Sequence, residues 1–196
     1  MRGLWDGVRV RPVPIVLLFL AGFLAACDGS AGSTPSTATG STPAVTLSVG
    51  ALHLPSVPAG AACPTTPRRS HTGSGEASTV LGEGPVYPVA DYFKDGTILE
   101  LRPDDREPDG NYRKKVRWIG VDYTGPILIR AARIDGPGAA SVDFSYRGEQ
   151  RDGGQYDDLS EPVTDIPATT LIGGPGCYAY QIDGTTFSTT VVFRAA

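Results

Sequence analysis

The sequence predicts an all-β fold, an antiparallel β-sandwich, on three observations. Glycine and proline together make 42 of 196 residues, a share that suits turns and connections better than helices. Beyond residue 27 no stretch sustains a 3.6-residue apolar period with caps at its ends. Short segments instead alternate apolar and polar residues between turn dipeptides, as strands with one buried face do. Six to nine such strands over about 135 residues cover their apolar faces best by pairing two sheets.

Taken in order, Val80-Leu81 and Val86-Tyr87, each near glycines, mark one or two short strands between Glu76 and Pro88. Asp95-Gly96 is a tight-turn dipeptide, and alternation follows it from Thr97 to Leu101. From Lys114 to Val121 the pattern sets Val116, Trp118 and Gly120 against Arg117 and Ile119. The next segment sets Ile127, Ile129, Ala131 and Arg133 against Leu128, Arg130, Ala132 and Ile134. Val142, Phe144 and Tyr146 oppose Ser141, Asp143 and Ser145 with a clean period of two. Cys177 to Ile182, Asp183-Gly184 and Thr185 to Arg194 form an expected hairpin that turns on Asp-Gly.

The N-terminus has a different grammar. Arg2, Arg9 and Arg11 precede an apolar core from Val13 to Leu24. That core is shorter than the ~20 residues a spanning helix needs, so it reads as the apolar region of a signal peptide. Its end, Leu24-Ala25-Ala26-Cys27, resembles the lipobox of bacterial lipoproteins. The resemblance implies diacylglyceryl transfer to the Cys27 thiol and cleavage before Cys27, leaving the mature chain held at the cell membrane by lipid on Cys27. The alternatives are an ordinary secreted protein whose Cys27 joins a disulfide, and an uncleaved anchor. From Asp28 to Thr42 the chain is almost wholly Gly, Ser, Thr, Ala and Pro, too poor in apolar surface to offset chain entropy. The expected organisation is therefore a signal peptide over 1–26, a lipid-anchored flexible linker over 27–60, and a sandwich over 61–196. Such a linker holds the domain about 30 Å from the bilayer. Short alternation at Val45–Val49 and His53–Val57 leaves open whether it ends in an edge strand or in an irregular extended piece.

Cysteine arithmetic agrees with the lipid reading. Three cysteines in an exported chain leave one odd thiol. Lipid on Cys27 accounts for it, and Cys63 and Cys177 remain as a pair expected to form a disulfide; two free buried thiols are the alternative. Trp118 is the expected core aromatic over that bridge. Histidines are limited to His53 and His71, and Cys-x-x-Cys is absent, so a structural zinc site has no support.

Gly173-Gly174-Pro175-Gly176-Cys177-Tyr178-Ala179-Tyr180, with Phe187 to Phe193 after it and Cys63-Pro64 near the domain start, resembles small exported bacterial Ig-like domains. These carry a Pro-x-Gly-Cys-aromatic turn before the penultimate strand; Tyr178 stands where Trp is common. The resemblance implies an Ig-like sandwich outside the cytoplasm and implies no catalytic residues.

Charge excludes one partner class. Beyond Ala61 there are 14 basic and 19 acidic residues with no basic block, a poor match for nucleic acid, which is bound through clustered cations. A Gly-x-Ser-x-Gly elbow is absent, and no cofactor is expected. Asp105, Glu107 and Asp109, followed by Gly110, space oxygen ligands like the start of a calcium loop, but Val116 stands where the closing carboxylate belongs. Asp152–Asp158 is a second acidic loop. The expected function is that of a non-catalytic binding or structural module whose partner is a cell-envelope protein or small ligand. A metal-dependent binder or hydrolase using the loops at 104–109 and 152–158 is the alternative.

Overall fold

The structure, a computed structural model, describes residues 46–196. The expected signal peptide, Cys27 and the first part of the linker lie outside the described residues. The elements in chain order are β1 Arg68–Ser70, β2 Thr79–Leu81, β3 Val86–Pro88, β4 Ile98–Leu99, β5 Tyr112–Val121, β6 Gly125–Arg133, β7 Ala140–Phe144, β8 Glu149–Arg151, β9 Gly154–Leu159, β10 Val163–Ile172, β11 Gly176–Gly184 and β12 Ser188–Ala195. Short 3-10 turns occupy Ala90–Tyr92 and Pro103–Asp105.

Two sheets face one another, a four-stranded one in the order β3-β5-β10-β7 and a six-stranded one in the order β4-β12-β11-β6-β9-β8; β1 and β2 form a small ribbon. All pairings of named strands are antiparallel except β4 with β12. These neighbours match an Ig-like sandwich with two extra strands beyond β6. The chain nevertheless crosses to β7 on the opposite sheet before returning to build β8 and β9.

The core between the sheets is aromatic. Trp118 meets Tyr180 edge-on at 4.9 Å between ring centres, and Tyr180 stacks on Phe193 at 4.6 Å. Val116, Ile166, Ile127, Ile129 and Ile182 close around them with essentially no exposure. Tyr180 and Thr170 share a buried hydrogen bond of 2.7 Å across the two sheets, which meets the requirement that interior hydroxyls be partnered. At the corner leading into β11, the Tyr178 hydroxyl donates to the Gly174 carbonyl at 2.8 Å, a tyrosine corner of the kind Ig-like sandwiches carry.

Several expectations change. Trp118 does not cover the disulfide: Tyr178 and Tyr180 point into the core, so period two sends Cys177 and Ala179 to the outer face, where they cluster with Val57, Ile134 and Val192. The closing hairpin does not turn on Asp183-Gly184, both of which belong to β11; Asp183 pairs with Ser188, and the chain reverses over the residues between Gly184 and Phe187. Gly184 serves proximity, since a Cβ there would lie 2.2 Å from a Phe187 ring carbon. Asp95-Gly96 does turn as expected, with φ of 53° and 75°. Tyr146 lies past the end of β7 and is 90% exposed.

β10 is a central strand that the sequence conceals behind Pro167. Proline ordinarily argues against a central strand. Here the Pro167 carbonyl accepts from Ser145 N–H at 2.9 Å. A residue's N–H and C=O point to the same side of a strand, so the missing donor faces the place where the β7 ladder ends at Phe144.

Candidate functional site

Cys63 and Cys177 are joined, with Cα atoms 5.4 Å apart and a sequence separation of 114. Cys177 is buried and Cys63 half-buried. Beside them opens a cleft of about 570 Å³ whose lining includes Arg133, Asp135, Arg194, Thr65 and Thr97. The Arg133 guanidinium donates to Asp135 at 2.6 Å and lies 5.8 Å from the centre of the Tyr178 ring. Asp135 also accepts the Cys177 N–H at 3.0 Å, which ties the cleft wall to the bridged strand. Arg133 holds the Asp135 carboxyl below its ordinary range, as an adjacent cation does.

The acidic stretches of the alternative reading do not gather their carboxylates into one group among the described residues. Asp105 takes the Lys114 ammonium and the Arg102 N–H, Glu107 faces Arg113 at 3.4 Å, and Asp109 accepts the Asn111 backbone N–H at 2.9 Å and its side-chain amide at 2.8 Å. Each carboxylate is thus engaged by a different neighbour. The stretch Asp152–Asp158 is not a loop but a hairpin turn followed by β9: Asp152 and Gly153 adopt φ of 51° and 73°, and Arg151 pairs with Gly154. Asp157 is buried against Arg147, and Tyr156 lies beneath the Arg151 guanidinium at 3.8 Å. Among the described residues no three His, Cys, Asp or Glu side chains are grouped to hold a metal ion.

The most elaborate polar arrangement is one that motif reading passes over. On the outer face of the six-stranded sheet, Arg130 of β6 donates to Asp183 of β11 at 2.7 Å, both buried. Asp183 also accepts from Gln181 at 3.0 Å and from Ser188 at 2.7 Å. This cluster binds the segment before Cys63 by its main chain. Arg130 donates to the carbonyls of Gly50 at 2.9 Å and Ala51 at 3.5 Å, while Gln181 accepts the His53 N–H at 2.6 Å. Val57 N–H reaches the Ile134 carbonyl at 2.8 Å, and Leu47 and Val57 are buried. Residues 46–58, placed in the expected linker, therefore lie along the sheet as an irregular strap without strand pairing. The available signal was Arg130 in register with Leu128, Ala132 and Ile134 on an otherwise apolar face, since a charge so placed demands partners.

No family model, curated protein or solved structure matches this chain.

Proposed function

We propose that this chain is an extracytoplasmic bacterial lipoprotein, held at the cell membrane by lipid on Cys27 and presenting its Ig-like sandwich as a non-catalytic binding or structural module. The Cys63–Cys177 disulfide carries the reading. It uses two of the three cysteines and leaves Cys27, the thiol that ends Leu24-Ala25-Ala26-Cys27, as the single candidate for lipid. A disulfide closing so long a loop also suits an oxidising compartment. Sandwich domains commonly present their end loops to partners, and here the Arg133–Asp135 cleft lies beside the bridge.

Fractionation of expressing cells tests the anchor. Wild type is expected in the membrane fraction and Cys27→Ser in the soluble exported fraction; membrane retention of the variant overturns the lipid assignment.

A further inference from the structure

We propose that residues 46–62 are a releasable strap, able to lift from the outer face of the six-stranded sheet while the sandwich stays folded, with the Cys63–Cys177 disulfide as the point where release stops. The device operates for any attachment upstream of residue 46, the lipid anchor proposed above being one. Its consequence is reach. Those 17 residues span at most about 60 Å when extended, at roughly 3.3–3.6 Å each.

The strap is attached differently from the strands. Among the described residues before Cys63 only Leu47 and Val57 are buried, and the segment has no ladder of strand hydrogen bonds. Its polar attachments include main-chain bonds of Gly50, Ala51 and His53 with the Arg130 and Gln181 side chains and one backbone bond, Val57 N–H to the Ile134 carbonyl, bonds that water replaces when the segment lifts. The surface beneath is polar at one end and apolar at the other, where Val57 packs on Ile134, Ala179 and Val192. Arg130, Gln181 and Ser188 each donate to Asp183 through bonds that do not involve the strap. Arg130 Nε is buried without a hydrogen-bond partner in the closed arrangement, so the covered guanidinium is not fully satisfied where it lies.

The stop is equally specific. Cys63 is bonded to Cys177 in β11, a strand paired on both sides by β6 and β12. Just beyond it, Thr66 N–H donates to the Val192 carbonyl at 2.8 Å, and the Thr66 hydroxyl accepts the Val192 N–H at 2.9 Å. Tension arriving from the N-terminal side thus passes through the bridge into the middle of the six-stranded sheet, bypassing β1 to β10.

Residue-resolved amide hydrogen exchange on the full chain at increasing low urea tests this. In the oxidised protein, His53 and Val57 amides are expected to exchange on the order of a hundredfold faster than Tyr180, with no urea dependence, as local opening does. Thr66 is expected to match the sandwich when oxidised and to become faster than Tyr180 when the disulfide is reduced. Two results overturn the proposal: His53 and Val57 sharing the rate and urea slope of Tyr180, or Thr66 opening together with Val57 while the bridge is intact.

Discussion

Arg130 and Asp183 meet at 2.7 Å across neighbouring strands β6 and β11, with side-chain exposures of 7% and 10%. This ion pair lies outside the aromatic core, covered by the strap rather than by the second sheet. Removing one partner strands the other in a partly desolvated site. Arg130→Ala is expected to cost about 3–5 kcal/mol, while replacing both residues by leucine recovers much of that loss. Urea denaturation of the two variants checks it; equal destabilisation contradicts the pairing.

The disulfide closes a loop with a sequence separation of 114. Chain-entropy reasoning makes the stabilisation about 5 kcal/mol at that length. The double replacement Cys63→Ala, Cys177→Ala is therefore expected to show a much lower urea midpoint with the β-rich circular dichroism retained below it. A midpoint unchanged from wild type contradicts this.

Asp135 gives the fold an acid-sensitive contact. Its carboxyl is held below the ordinary value of 3.8 by Arg133, with help from the Cys177 N–H. A depressed folded value means stability that is fully present above the unfolded value and lost as pH falls from there through the folded one. Stability is thus expected to decline below pH 3.8, less steeply in Asp135→Asn than in wild type. Urea midpoints from pH 5 down to pH 2 measure the two slopes; identical slopes remove Asp135 from the account.

Gly184 tests the reassigned hairpin. A methyl group there meets the Phe187 ring at 2.2 Å, so Gly184→Ala is expected to cost about 1–3 kcal/mol by overpacking. Phe187→Leu in the same chain is expected to relieve part of this. If Gly184→Ala alone is neutral in thermal unfolding, the close approach is not a constraint.

Anchoring is tested by Cys27→Ser as described above, and its outcome is independent of these stability measurements.

Local pattern carried the strands whose alternation was uninterrupted. Val116 with Trp118, Ile127 with Ile129, and Val142 with Phe144 all enter the core as period two requires. It failed where a local signal had a non-local answer. Pro167 hid β10 because only the end of the β7 ladder makes its missing donor harmless. The carboxylates of 104–109 resembled a cation loop because Lys114, Arg113 and Asn111 take them up one by one only in the folded chain. Asp152-Gly153 is a turn dipeptide whose acidic neighbours mask the hairpin it makes.

The all-β class and the strands of uninterrupted alternation follow from composition and period, and the pairing of Cys63 with Cys177 follows from parity once Cys27 is given to lipid, each a property of neighbouring residues or of parity. Which side of β11 the bridge occupies, what covers Arg130 and where the linker ends were decided by tertiary structure. The physical reason is that both faces of β6 and β11 are buried. Alternation separates two faces, but only the packed chain shows that one meets the second sheet and the other meets residues 46–58.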